Sequence, residues 1–186
     1  MLNYKCLNKQ VFEIDEYKIV PIRFEDRYDI MRWRNEQMYH LRQTKILTIE
    51  DQDLYFENSV LKLFDKINPD QILFSYLKNE ICIGYGGVVH INWLDKNAEL
   101  SFVINTEIEK QEFSQHWSIF LKLIEKVLFQ ELKFHKIYTH AFDLRPKLYS
   151  ILETEGYKRE AILKEHKFID NKFVDIIIHS KFNYKK

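Results

Sequence analysis

The run Ala98-Glu99-Leu100-Ser101-Phe102-Val103-Ile104 and the segment that follows it decide the fold. The run alternates. Leu100, Phe102 and Ile104 share one face, and Glu99, Ser101 and Val103 share the other, which is the period of a strand. From Phe113 onward the period changes. Phe113, Trp117, Phe120, Leu121, Ile124, Val127 and Leu128 recur at helical spacing and make the strongest amphipathic helix of the chain. Lys136-Ile137-Tyr138-Thr139-His140-Ala141-Phe142 then reads as the next strand.

Upstream, Ile72–Leu77 and Ile81–Ile83 are β-rich runs separated by Lys78-Asn79-Glu80, which predicts a hairpin. Its second strand continues through Gly84-Tyr85-Gly86-Gly87 to Trp93, and the glycines predict a bulge or a close backbone approach. Tyr17–Arg23 alternates as a first strand, with Pro21 favouring an edge position. A short helix follows from Glu25 to about Asn35. A capping box at Thr48-Ile49-Glu50-Asp51 opens a second helix to about Leu63. Downstream, Pro146 and Gly156 bracket a last helix, and two long strands, Tyr157–Phe168 and Phe173–Phe182, close the chain. Hairpins intervene between the helices, so a purely parallel sheet is excluded. The order predicts an α+β fold with a mixed, mostly antiparallel seven-stranded sheet and helices on both faces. With no linker, one domain spans 1–186, and residues 1–16 form an N-terminal extension.

Composition narrows the function. With 46% hydrophobic and 30% charged residues, the 186-residue chain is not a disordered one. Lys+Arg and Asp+Glu both number 28, so the excess cations that non-specific nucleic-acid binding needs are lacking. No apolar run approaches the roughly 18 residues of a membrane span, and the N-terminus reads unlike a secretory signal. The expected address is cytoplasmic. Cys6 and Cys82 fit neither a disulfide framework nor zinc spacing, and the seven histidines form no metal-type helical pair, so no metal is expected.

Five pieces in order resemble the GCN5-related N-acetyltransferase (GNAT) superfamily, and most of all its ribosomal-protein and amino-sugar branch. They are Ile22-Arg23-Phe24-Glu25-Asp26, Trp33-Arg34-Asn35, Ile83-Gly84-Tyr85-Gly86-Gly87, Ala98-Glu99-Leu100-Ser101-Phe102, and Leu152–Ala161 followed by Asp175. The resemblance covers about residues 17–182. It implies acetyl-CoA as donor and a splay between the fourth and fifth strands. The pantetheine arm would lie on the open backbone of the fourth, at Phe102, Val103 and Ile104, as an added strand would. The pyrophosphate would sit at Lys110, Ser114 and His116, near a helix start where free N–H groups favour anions. The family's spaced glycines are missing there: Glu109-Lys110-Gln111-Glu112-Phe113-Ser114-Gln115-His116 contains none.

Amine acetylation needs a proton route, oxyanion donors and protonation of the leaving thiolate. The resemblance places a base at Glu99. The family's thiolate-protonating tyrosine aligns with Leu152, and Tyr149 lies one turn earlier. Arg145 aligns with a position that can contact CoA phosphate. Trp33, Arg34, Arg42 and Tyr85 resemble the acceptor wall, the arginines suiting an acidic group. His90 and His140 fall on strands within reach of the cleft. The expected activity is acetyl transfer from acetyl-CoA to a small primary amine, for example a nucleotide-linked amino sugar. Acetylation of a protein N-terminus and a non-catalytic ligand- or partner-binding module are the alternatives. A homodimer through the C-terminal edge strand is the expected partner, with no membrane or nucleic acid.

Overall fold

Alternation and helical periodicity place most elements in the computed structural model, which describes residues 2–184. The strands are β1 (Phe12–Ile14), β2 (Tyr17–Pro21), β3 (Ile72–Lys78), β4 (Ile81–Asn92), β5 (Asn97–Ile104), β6 (Lys136–Phe142), β7 (Lys158–Ile169) and β8 (Lys172–Phe182). They form one sheet in the order β1-β2-β3-β4-β5-β6-β8-β7. Only β5 and β6 pair in parallel; every other neighbouring pair is antiparallel. The helices are α1 (Arg27–Glu36), α2 (Ile49–Tyr55), α3 (Leu61–Leu63), α4 (Thr106–Glu125) and α5 (Pro146–Thr154). A π-turn over Phe56–Val60 joins α2 to α3, so the second predicted helix does run to Leu63. Its capping box is made by Thr48 and Asp51.

The sheet has eight strands where seven were expected. The additional one, β1, lies in the segment read as an extension and pairs Phe12–Ile14 with Tyr17–Ile19. Three residues are too few for a periodic signal. The segment is part of the core: Tyr4 is buried, stacks on Phe64 with ring centroids 4.4 Å apart, and donates its hydroxyl to the Leu73 carbonyl at 2.9 Å. β1 also makes β2 an internal strand rather than an edge. Pro21 is tolerated because β1 ends opposite Ile19, leaving the proline's missing N–H without a ladder to break.

The two faces of β5 point to different layers. Phe102 stacks on Phe120 of α4 at 4.0 Å and meets Trp117 edge-on at 5.2 Å. On the other face Val103 lies opposite Tyr85, whose hydroxyl accepts from Arg34 of α1. α4 with α5 therefore covers one face, and α1 with α2 the other. Gly86 lets β4 approach this core, since a Cβ there would sit 2.4 Å from the Ser101 carbonyl and 2.8 Å from Phe120. Gly87 adopts φ +152°, and a Cβ there would sit 2.0 Å from the Ile72 carbonyl oxygen.

α4 begins seven residues before the predicted Phe113, at Thr106. Asn105 caps it by accepting from the Glu107 N–H, and Glu107 and Glu109 suit the positive end of the helix. The glycine-free stretch thus folds as helix instead of loop. Its break comes at Glu112, with φ −120° and ψ 23°, and the helix resumes beyond it.

Candidate active site

The pairing of β5 with β6 stops early. It joins Asn97 to Lys136, Ala98 to Ile137 and Glu99 to Tyr138, and goes no further. Beyond Glu99 the strands diverge, so the β6-facing edge of Leu100–Ile104 has no strand partner among the described residues. β5 is held on its other side by β4 through Gly84–Val89. A slot of about 180 Å³ opens in the gap, lined by Glu99, Leu100, Ser101 and Phe102 from β5 and by Thr139, His140, Ala141 and Phe142 from β6. Trp117 and Leu148 close its α4/α5 side, and Arg34, Leu41 and Arg42 its α1 side. Phe102 lines the slot directly; Val103 does not, because its backbone is turned toward β4 opposite Tyr85, and the Ile104 carbonyl already accepts from the Gln37 amide at 2.7 Å.

Glu99 sits at the apex of the gap with its side chain 9% exposed. Arg42 Nη2 donates to Oε1 at 2.5 Å, and His90 Nδ1 lies 2.9 Å from Oε2. The two partners come from distant parts of the chain. Arg42 is carried by the segment after α1, which Asn35 fastens: its amide donates to the Leu47 carbonyl at 2.9 Å, and its oxygen accepts from the Leu47 N–H and from Gln43. His90 stands where β4 slips register against β5, between Val89 and Asn92, with φ +49°.

The Trp33-Arg34-Asn35 motif divides its work. Trp33 is 1% exposed and belongs to the core, which corrects its expected place in the acceptor wall. An indole that large is worth more to the packing under α1 than to a wet surface. Arg34 reaches the slot and donates to the Tyr85 hydroxyl at 2.7 Å and to Gln43 at 3.0 Å. Tyr85 is buried and supports Arg34 rather than lining the slot itself.

A second hollow, of about 850 Å³, adjoins the slot between the starts of α4 and α5. Lys110, Ser114, Arg145 and Lys147 line it, the last unnoticed in the sequence. Arg145 spans the hollow and the slot. Its guanidinium bonds the Glu109 carboxylate, donates to His40 Nδ1 at 3.2 Å and lies 4.7 Å over the Phe113 ring. Both charged side chains of this pair are 12% exposed. Burial pushes the Glu109 carboxyl up and the Arg145 guanidinium down, each opposed by the other's charge. Burial and the neighbouring guanidinium hold His40 down at about 3, so it is neutral.

Two expected residues point elsewhere. His116 is 1% exposed, pinned between the Tyr76 hydroxyl at 3.0 Å and Glu112 at 3.1 Å, so the pyrophosphate position expected of it is corrected. The helical phase of α4 turns it toward β3. Tyr149 is likewise absent from the slot lining. Its hydroxyl donates to Asp143 at 2.9 Å, its ring stacks on His179, and burial together with Asp143 raises its pKa. Leu148, one position earlier, takes the slot-facing place. The sequence reading missed His40 and the fastening roles of Gln37 and Asn35. All three lie in or just after a helix whose polar residues look like a solvated face.

Comparisons with known proteins agree with this geometry. A family model described as an acetyltransferase (GNAT) domain matches residues 19–178. The spermidine N(1)-acetyltransferase of Vibrio cholerae serotype O1 (strain ATCC 39315 / El Tor Inaba N16961) is 30% identical over 107 residues, 54% of this chain. That match spans 58% of the curated relative's length. A crystal structure of spermidine N-acetyltransferase from Vibrio cholerae in complex with CoA and spermine superposes with a TM-score of 0.81 at 18% identity, covering 92% of this chain and 98% of that one. A dodecameric structure of the Vibrio cholerae enzyme in an intermediate state gives 0.75 at 20% identity, covering 91% and 95%. These relatives are spermidine acetyltransferases, and the ribosomal-protein and amino-sugar branch that the sequence resembled is not confirmed by them. The family match covers most of the chain and contains every strand that borders the slot: the chain belongs to the GNAT acetyltransferase family.

Proposed function

We propose that the protein transfers the acetyl group of acetyl-CoA to the primary amine of a small molecule. The observation that carries this reading is the pairing of β5 with β6, which ends at Glu99 and Tyr138 and leaves one edge of Leu100–Ile104 without a strand. An amide-bearing pantetheine arm can use that edge as a strand would. The N–H groups of Phe102 and Ile104, which alternate away from β4, would then polarise the thioester carbonyl. The hollow lined by Lys110, Ser114, Arg145 and Lys147 would take the pyrophosphate, with Arg145 exchanging Glu109 for phosphate oxygens. The acetyl carbon would lie near the apex, where Glu99 and its partners lie on the amine's proton route.

For the acceptor, we favour an amine that also carries an anionic group, such as a nucleotide-linked amino sugar. With Arg145 given to the donor's phosphates, two guanidinium groups, of Arg34 and Arg42, line the slot against one carboxylate, Glu99. A polyamine such as spermidine is supported by the relatives, but it would bring several positive charges to that lining. The test is release of CoA thiol with a panel comprising a nucleotide-linked amino sugar, glucosamine 6-phosphate, spermidine and short peptides. Turnover confined to anionic amines supports the proposal. Turnover of spermidine alone would transfer the relatives' acceptor to this chain, and CoA binding without turnover would make it a non-catalytic module. A homodimer would extend the sheet along β7, the outermost strand, and light scattering tests it.

A further inference from the structure

We infer that His90, not Glu99, takes the proton from the acceptor amine, and that Glu99 is its positioning residue. The inference rests on the acetyl-transfer reading above. The geometry at the apex distinguishes the two groups. Each Glu99 oxygen already faces a donor, Arg42 on one side and His90 on the other, and the side chain is 9% exposed. Glu99 lines the slot, but both of its oxygens are engaged and only that 9% of the side chain is left to an incoming amine. The His90 ring is 61% exposed, and its Nε2 has no hydrogen-bond partner among the described residues. With Nδ1–H directed at the carboxylate, the lone pair resides on Nε2, so the tautomer is the one that accepts a proton.

The backbone supports the same assignment. His90 stands at a register slip of β4 with φ +49°, a left-handed conformation that few side chains adopt in a strand. Bulges beside active sites re-aim side chains, and this one brings His90 to Glu99, which Val89 already opposes. The charged and titratable groups around the apex are Glu99 on β5, Arg42 after α1, and Tyr138 and His140 on β6. His140 lines the slot but is a weaker candidate, because its Nδ1 is buried without a partner and no carboxylate among the described residues fixes its tautomer.

The proton balance is simple. The ammonium form of the acceptor gives one proton to His90 Nε2, and the neutral nitrogen attacks the thioester carbonyl carbon. The C–N bond forms and the C–S bond breaks. A second proton leaves the nitrogen as the intermediate collapses and ends on the departing sulfur, while His90 releases its own to water. One acetyl-CoA and one ammonium thus give one amide, one CoA thiol and one proton.

The experiment uses the full chain with whichever of glucosamine 6-phosphate, spermidine or a tripeptide turns over best. His90→Gln, which keeps a donor for Glu99, is expected to lower kcat about a hundredfold or more, with KM for acetyl-CoA unchanged and the acid limb of the rate profile gone. Glu99→Gln is expected to keep that limb but shift it. In the wild type, the ¹⁵N spectrum of His90 should show the Nδ1–H tautomer, and in Glu99→Gln that preference should be lost. A His90→Gln rate within about threefold of wild type with an unchanged pH profile would overturn the assignment. So would an Nε2–H tautomer in the wild type. Failure of the wild type to acetylate any amine would overturn the acetyl-transfer reading, and this assignment with it.

Discussion

Replacing Glu109 by Gln should tighten the binding of acetyl-CoA. In the free protein Arg145 is already engaged by Glu109, with both side chains 12% exposed and Phe113 beneath the guanidinium. A pyrophosphate arriving in the hollow between α4 and α5 must take Arg145 from that carboxylate and then sit beside it. At a separation of about 6 Å and an effective dielectric constant near 20, each unit of phosphate charge is repelled by roughly 2.8 kcal/mol. Screening by salt removes part of this. A net gain of about 1.4–2.8 kcal/mol on neutralising the carboxylate corresponds to ten- to hundredfold tighter binding. The same substitution should lower the stability of the free protein, since removing one partner of a buried pair costs about 3–5 kcal/mol, less here because Gln keeps a hydrogen-bond acceptor. Calorimetric titration with acetyl-CoA reads the affinity and thermal unfolding reads the stability. Arg145→Gln should weaken binding. Unchanged or weaker binding in Glu109→Gln would refute the argument, because Glu109 would then not compete for the guanidinium.

Three further outcomes follow from the structure. Gly87→Ala should cost about 3 kcal/mol in a urea titration, because φ +152° and a Cβ 2.0 Å from the Ile72 oxygen leave an L side chain no room; a loss under about 1 kcal/mol would contradict that. Stability should fall as pH drops from 6.5 toward 5. Burial lowers the pKa of His40, His116, His140 and His179 below the ordinary 6.5, so the unfolded chain binds protons first, and a urea midpoint that rises over this range would show the sign to be wrong. Alkylation by iodoacetamide at pH 8 should be slow at both free thiols, since burial pushes Cys82 up to about 12 and Cys6 to about 11; rapid labelling of either would contradict that burial.

What the sequence made legible was what its periodicity carries. The alternation of Leu100, Phe102 and Ile104 and the helical spacing from Phe113 placed β5 and α4, and the family resemblance implied the splay that the end of pairing at Glu99 displays. Less legible were contacts made across long stretches of chain. Arg42 reaches Glu99 over 57 residues, and no local pattern marks it. The bulge that brings His90 to the same carboxylate depends on how β4 pairs with β5, not on the residues of β4 alone. The stretch Glu109–His116 was expected to cradle phosphate, but without glycine it continues the helix, and its phase sends His116 into the core. Trp33 shows a similar limit: a motif of three residues did not reveal that the first faces inward, the second reaches the slot and the third holds a loop.

The central claim is that the open edge of β5 grips the donor's amide tail. Hydrogen exchange measured residue by residue, with and without saturating acetyl-CoA, tests it most directly. The β6-facing amides of Leu100–Ile104 should exchange rapidly in the free protein and slow markedly when acetyl-CoA binds, while the amides paired with β4 change little. Full protection of that edge before ligand is added, or no added protection once acetyl-CoA has bound, would contradict the account.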